Sequence, residues 1–450
     1  MAASKASDLT LANYLKIVQK GVVYNNLSED SSIWDNIGKY NKGQAEGRSL
    51  DFVLRSAYGA DAVGFMPVTG GDYPSAHQST LNRGTAQYKD FALTVEVERT
   101  LVAKAISDFS RWGEPLAEEL RSKGIALSRL LSISCYGDGT GALGEVADAG
   151  SVSSGSYVAN LKTTNAAYGG IGNFELGDKL VSYDKDGTIS TLPTESAGTH
   201  AYWLVTAKNR ANNTVTLRSK TSTGTDIVIT ATGATAGELF YKKNQTTFTD
   251  VNPVSGDYNT FSEMWPGLES LSENDGRTVN GIALSGALGG TRRDASANPI
   301  DSQNFQEVMS DLMIAVGQGR YKYDRAHMSW EALNSLIESR ETDRRFTSIT
   351  DEKRGATGLG YQHGKNGIMF DADEFCRKDR IYILPTGGDV LQFHGSDFEF
   401  VEVDGVKFRL KTGSSGGEHA RSIRAYMEGS GTLVSTHSAA IGCIENFTVS

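Results

Sequence analysis

Residues 86–108 read AQYKDFALTVEVERTLVAKAISD, and residues 114–136 read EPLAEELRSKGIALSRLLSISCY. The first segment alternates. Phe91, Leu93, Val95 and Val97 stand against Thr94, Glu96 and Glu98. Period two is the mark of a half-buried strand, because successive strand side chains point to opposite faces. The second segment changes period. Leu116, Leu120, Ile125, Leu127, Leu130, Leu131 and Ser134 recur at three- and four-residue steps, mostly on one stripe of a helix. Pro115 suits a first helical turn, and Glu114 suits the positive end of the helix dipole. Gly137-Asp138-Gly139 stops the helix. The spacing predicts about 22 residues, or about 33 Å.

Upstream, an outgoing run alternates Leu50, Phe52 and Leu54 against Asp51 and Arg55. Between the two runs, Tyr58–Tyr88 holds Gly59, Gly64, Pro67, Gly70, Gly71, Pro74 and Gly84. It has too little apolar content to pack on itself. So long a connection without structure of its own is disordered or serves a partner. The polar stretch from Trp34 to Arg48 reads as an extended arm with few core residues. Before it, Leu11, Leu15, Val18 and Val22 have helical spacing, with Asp8 or Thr10 as N-cap.

Downstream, from 145 to 256, Ser, Thr, Gly and Asn dominate. Strands are predicted at Lys179–Tyr183, Tyr202–Ala207, Thr214–Arg218, Asp226–Thr230 and Leu239–Lys242. Turn signals separate them at Lys185-Asp186-Gly187 and Asn209–Asn213. This reads as a small β-barrel or sandwich inserted into the main fold. After Trp265 the pattern is mixed. Helices are predicted over Asp301–Val316 and Ser329–Ser339, and strands over Arg380–Leu384 and Val390–Phe393. A hairpin is expected at Asp404-Gly405, between Phe398–Val403 and Val406–Leu410. Strand-like pieces at Ile423–Met427 and Ala439–Phe447 close the chain. The fold class is α+β.

Bulk properties limit the functions. The chain has 450 residues, 50 of them glycine and 8 proline, and a net charge of −10. Its length implies more than one core, or one core with insertions. An acidic chain does not live by gripping nucleic acid, so any DNA contact is local and weak. Cys135, Cys376 and Cys443 are scattered, which gives neither a disulfide framework nor zinc spacing, and a reducing cytosol is expected. Met1–Thr10 lacks the apolar core of a signal peptide. No apolar run approaches the roughly 20 residues needed to span a bilayer. A secreted or membrane protein is disfavoured.

Chemical motifs are weak. Gly139-Thr-Gly141-Ala-Leu-Gly144 matches the dinucleotide pattern, but it follows a helix where the phosphate site needs a strand, so it reads as a helix-ending loop. Gly413-Ser414-Ser415-Gly416-Gly417 matches the nucleophile elbow, yet a strand follows it, and a surface loop is the reading. Asp184-Lys185-Asp186-Gly187 lacks the remaining ligands of a calcium loop and reads as a turn. The seven histidines lack metal spacing. Asp371, Asp373 and Glu374, followed by Arg377, Lys378 and Arg380, read as a solvated or salt-bridged turn. They are not taken as an acid–base pair. The basic groups Arg320-Lys322-Arg325, Arg344-Arg345 and Lys407-Arg409-Lys411 read as surface charge or subunit ion pairing, with weak phosphate contact as the sharper alternative. No catalytic, cofactor or metal residue is assigned, and an enzyme is not expected.

The order of parts resembles the major capsid proteins of tailed bacteriophages, the Hong Kong 97-type fold. A polar arm leads into strands bearing a Gly/Pro loop, then one long amphipathic helix, a mixed region and short closing strands. The local likenesses lie at Gly47–Asp108 and Glu114–Tyr136, at GLESLSENDG (Gly267–Gly276), at AHMSWEALNSL (Ala326–Leu336), at DRIYILP (Asp379–Pro385) and at HSAAIGCIENF (His437–Phe447). The resemblance implies an N-terminal arm over 1–49, an extended loop over 50–98 and a peripheral domain with a spine helix over 99–144. The β-rich insert covers 145–256, and the peripheral domain continues over 257–300. An axial domain covers 301–425, and closing strands of the peripheral domain cover 426–450. It further implies hexamers and pentamers that assemble into an icosahedral shell around double-stranded DNA. The expected location is the virion, with the host cytoplasm during assembly. Implied partners are the chain itself, a separate scaffolding protein, a portal and, in some shells, a decoration protein, with weak non-specific contact to packaged DNA and no membrane. The family's crosslinking members use a lysine in the extended loop. No lysine occurs between Gly43 and Tyr88, so non-covalent contacts are expected. The alternative is another β-rich phage structural protein, such as a tail or spike component.

Overall fold

The computed structural model describes residues 32–41, 49–57, 80–98, 109–153, 155–162, 170–183, 202–221, 224–228, 237–242, 264–300, 302–316, 321–340, 347–351, 356–363, 366–385, 390–395, 399–402, 408–412 and 419–449. Ahead of the long helix lie β1 (Gly38–Asn41), β2 (Ser49–Ala57), β3 (Thr80–Gln87) and β4 (Lys89–Glu98). Period two holds in β4: Leu93 and Val95 are buried, while Ala92, Thr94 and Glu96 are exposed. The partner of the outgoing run differs from expectation. β2 pairs antiparallel with β3, from Ser49↔Gln87 to Ala57↔Thr80. Residues 80–87 are therefore strand, although the reading placed them in a structureless loop. Gly84 misled it. A Cβ there would lie 2.6 Å from the Ile282 side chain and 2.7 Å from Phe52, so this glycine marks a close approach within a strand. The rest of the loop, 58–79, lies outside the described residues, as does the predicted helix at 8–23.

The stretch read as an arm enters the core. Ile33, Trp34 and Ile37 are buried, and β1 runs parallel to β21 (Leu391–Gly395) in the register Gly38↔Gln392. Three apolar residues in a polar context give no periodic signal, yet one buried tryptophan is enough to dock a segment.

The helix α1 spans Phe109–Tyr136, 28 residues, and starts five residues before Glu114. Its stripe is buried at Leu127 and Leu131, and its last turn is buried all round. Ile125, assigned to the stripe, is exposed. α1 packs against β4.

β4 belongs to a six-stranded sheet built on β24 (His419–Ser435). One edge of β24 pairs with β4, from Lys89↔Gly431 to Glu98↔Ser422. Its other edge takes β21, β22 (Glu399–Phe400) and β23 (Phe408–Thr412) in turn, all antiparallel. The turn expected at Asp404-Gly405 lies outside the described residues; the described parts of its flanks, β22 and β23, both pair with β24.

The described strands between 144 and 242 form one eight-stranded sheet. Its strands are β5 (Gly144–Glu145), β6 (Ser151–Ser153), β7 (Ser156–Asn160), β8 (Lys179–Tyr183), β9 (Tyr202–Asn209), β10 (Thr214–Lys220), β11 (Asp226–Ile227) and β12 (Leu239–Lys242). The path is β5-β12-β8-β9-β10-β7-β6, with β11 on β10. A bridge between Val146 and Leu161 also joins the segment after β5 to the end of β7. Tyr157, Phe174, Trp203, Val215, Leu217 and Phe240 fill its core.

The remainder forms a seven-stranded sheet with helices against it. After α2 (Leu268–Leu271) and the small hairpin β13 (Thr278–Val279) and β14 (Ile282–Ala283), the sheet runs from β15 (Thr291–Asp294) through β25 (Gly442–Glu445), β20 (Arg380–Pro385), β16 (Tyr323–Met328), β19 (Asn366–Ala372) and β18 (Ala356–His363) to β17 (Thr347–Asp351). Helices α3 (Ser302–Val316) and α4 (Trp330–Arg340) pack on it, as their apolar spacing requires. Phe305, Val308, Met309 and Leu312 are fully buried. β24 runs unbroken across 425/426, and β21, β22 and β23 pair with it, in a sheet separate from the one that holds β16 to β20.

Candidate functional site

The most constrained group of polar side chains sits where α2, β15, β20 and β25 meet. Short apolar spacing in GLESL folds α2, which presents Glu269 to the interior. Glu269 Oε1 accepts from Arg377 Nη1 at 3.1 Å and Arg380 Nη2 at 3.5 Å, and its Oε2 accepts from Tyr382 Oη at 2.5 Å. Arg292 donates to the Glu269 backbone carbonyl at 2.9 Å and pairs with Glu445 at 2.6 Å and Glu273 at 3.1 Å. Asp379 pairs with Arg377 at 3.1 Å and Arg380 at 3.3 Å. All of these carboxylates and guanidiniums are buried or nearly so. Burial alone would raise the Glu269 carboxyl, but Arg377, Arg380, Arg292 and the Tyr382 hydroxyl together hold it at about 2. Burial works to lower both Arg292 and Arg380, but Cys443, Glu269, Glu273 and Glu445 raise Arg292, and Glu269, Cys443 and Asp379 raise Arg380, above the usual guanidinium range. The arrangement is a charged lock between chain segments.

A second polar seat lies at the end of α1. Asp138 Oδ1 accepts from Thr140 N at 3.0 Å and Oγ1 at 2.6 Å, and Ser270 Oγ donates to the Asp138 carbonyl at 2.6 Å. Burial pushes the Asp138 carboxyl up to about 6, against the two Thr140 hydrogen bonds. The folded chain thus prefers the protonated acid more than an unfolded chain with its ordinary value near 3.8. This contribution is complete below pH 4 and is lost as pH rises through 6. We expect thermal melts between pH 4 and 8 to show Asp138→Asn gaining stability relative to the unmodified chain as pH rises. A difference that stays constant with pH would contradict this.

The motif residues fall as follows. Gly139 and Gly141 take left-handed φ values of +92° and +82° between α1 and β5, so the 139–144 segment is a loop with no helix N-terminus behind it. Residues 413–417 and 184–187 lie outside the described residues. The turn read as solvated or salt-bridged is salt-bridged and largely buried. Asp371 pairs with Arg325 at 2.8 Å, Asp373 accepts from Tyr136 Oη at 3.0 Å, and Arg377 and Arg380 bind Glu269. Of the basic groups, Arg325 is buried in that pair and Lys322 is exposed, while Arg320 and Arg344-Arg345 lie outside the described residues. His327 is buried against Asn36 Nδ2 at 2.9 Å, and His394 stacks on Tyr40 at 5.1 Å. Cys135, Cys376 and Cys443 are free and buried, and burial raises each thiol, Cys443 to about 12. Un-ionised thiols are neither nucleophiles nor metal ligands. Among the described residues no group of three or more His, Cys, Asp or Glu is placed to hold a metal, and no helix is long and apolar enough to cross a membrane. The sequence reading missed Glu269 as the centre of the lock. Its only signal was an acid within an apolar four-residue helix.

The ribbon β2–β3 is the other distinctive surface. Phe52, Leu54 and Ala86 turn toward the body, and Thr85 N donates to the Asn280 carbonyl at 2.9 Å. The opposite face carries the Asp51–Arg83 ion pair, with Thr85 Oγ1 on Asp51 at 2.8 Å. It also leaves Val53 and Leu81 more than half exposed, at 53% and 55%.

No family model matches the chain, and no curated protein matches it. Among solved structures it is similar to the cyanophage A-1(L) capsid asymmetric unit, with 10% identity, 92% of this chain and 91% of that one covered, and a TM-score of 0.43. It is similar to the capsid of an empty GTA particle, with 9% identity, coverage of 93% and 90%, and a TM-score of 0.43. It is also similar to a virus-like particle from Pyrococcus furiosus, with 6% identity, coverage of 97% and 99%, and a TM-score of 0.40.

Proposed function

We propose that this chain is the major capsid protein of a tailed bacteriophage, a structural protein that assembles as hexamers and pentamers into an icosahedral shell around double-stranded DNA. In this reading β2, β3 and β4 belong to the extended-loop segment (50–98) and α1 is the spine helix. The strands β16 to β20, with α3 and α4, fall in the axial domain, and β15 and β25 in the peripheral domain. The eight-stranded sheet, closed by the Val146–Leu161 bridge, is the small inserted barrel. The observation that carries the reading is the ribbon. A two-stranded ribbon is marginal by itself, and this one keeps Val53 and Leu81 on its outward face, where a neighbouring copy would bury them. Interfaces of that obligate kind bury some thousands of Å² (roughly 2,000–5,000), enough to offset the ordering of long segments. Scaffolding protein, portal and any decoration protein would be the further partners, with the virion as location. Sedimentation velocity of the full chain tests the assembly. The reading expects very large particles, or hexamers and pentamers where no scaffolding protein is present, with no covalent ladder after boiling in detergent. A uniform oligomer of fewer than five copies, an elongated trimer included, would count against it.

A further inference from the structure

The eight-stranded sheet meets the rest of the chain along a seam rich in charge. Arg129, on α1, joins both sides of that seam. Its guanidinium donates to the backbone carbonyls of Gly172 and of Phe174, the latter at 3.2 Å. It pairs with Glu175 at 3.8 Å and with Glu374 at 3.6 Å, and lies over the Phe375 ring at 5.4 Å. One side chain thus grips the sheet's 170–175 turn and the 374–375 turn of the body together. The two turns touch: a Cβ on Gly172 would collide with the Glu374 carbonyl. A second contact lies at the β9–β10 turn. Arg210 pairs with Glu331 at 3.4 Å, and Lys378 reaches both Glu331 and the Arg210 carbonyl at 3.4 Å.

We propose that Arg129 is the latch that fixes the 170–175 turn of the eight-stranded sheet on the 374–375 turn of the body, so that loss of the latch opens this part of the seam while the core keeps the strands folded. Tyr157, Trp203, Leu217 and Phe240 are fully buried in a core continuous with Leu131, Trp265, Phe375 and Phe393 of the body, which holds the strands without the latch. The pairs across the seam are ionic, and their acidic partners Glu175 and Glu374 reach solvent, so salt weakens them. Arginine is required because its planar fork serves two carbonyls and two carboxylates at once, which a lysine ammonium does not.

Hydrogen–deuterium exchange on the full chain tests this. In Arg129→Ala, amides of 170–178 and 374–378 should exchange about tenfold faster, while β9, β10 and β12 keep their protection. Arg129→Lys should behave like the alanine variant. Unchanged exchange at 170–178, or rescue by lysine, would overturn the proposal. So would equal loss of protection in β9, β10 and β12, because the strands would then depend on the latch to stay folded. If the alanine variant does not fold, the unmodified chain at about 0.05 M and about 1 M salt replaces it, since the screening length falls from over 10 Å to about 3 Å. Faster exchange confined to the two seam turns at high salt is expected, and no salt effect would sink the idea.

Discussion

Glu269→Gln should cost about 3–5 kcal/mol of stability, because it leaves three buried guanidiniums short of their shared carboxylate. The shape barely changes. The charge does, and Arg292, Arg377 and Arg380 are then left to Asp379, Glu273 and Glu445. The Tyr382 hydroxyl, 2.5 Å from Glu269 Oε2, loses a charged acceptor as well. Against a usual total of about 5–15 kcal/mol, such a loss is visible as a large drop in denaturant midpoint. Arg377→Met made in the Glu269→Gln background should cost less than in the unmodified chain, by about 1 kcal/mol or more, because the two groups share one interaction. Additive effects, or a single-variant loss under about 0.5 kcal/mol, would mean that the cluster is not a lock. Acid should act in the same direction. The ordinary glutamate value is 4.5 and the folded value about 2, so this stabilisation is present above pH 4.5 and is lost as pH falls toward 2.

Gly267→Ala should cost about 3 kcal/mol, from crowding that cannot relax through a side chain. A Cβ at this position would collide with the Ser134 carbonyl and lie 2.6 Å from the carbonyls of Cys135 and Gly137. These oxygens belong to the end of α1, where the helix has no further N–H of its own to offer. Gly267 supplies one: its N–H donates to the Gly137 carbonyl at 3.1 Å, while its own carbonyl accepts from Leu271 N at 2.9 Å. The glycine therefore closes one helix and opens the next. Its φ of −94° is ordinary, so the cost is steric and not conformational. A melting temperature unchanged by the substitution would show that α2 can move away from α1 freely.

The pattern of what could be read from sequence follows the range of each signal. β4 and the buried stripe near the end of α1 rest on local periodicity, and the strands Lys179–Tyr183 and Leu239–Lys242 lie as predicted. The stop at Gly137-Asp138-Gly139 is equally local, and α1 ends at Tyr136. The pairing of β2 with β3 was hidden because Gly84, needed for a close approach, looks like a loop glycine. The pairing of β22 and β23 with β24 was likewise hidden, because β24 lies far along the chain from the local Asp404-Gly405 signal. Arg377 and Arg380 were legible as a salt-bridged turn, but their partner Glu269 lies 108 residues from Arg377. Nothing local reveals such a pairing. Trp34 entered the core without any periodic neighbour, which pattern reading cannot detect.

Electron microscopy of the purified full chain, first alone and then with a co-expressed scaffolding protein, tests the central claim most directly. The account predicts closed polyhedral shells, or rosettes of six and five copies, in at least one of the two conditions. Uniform small oligomers or thin fibres in both would contradict it.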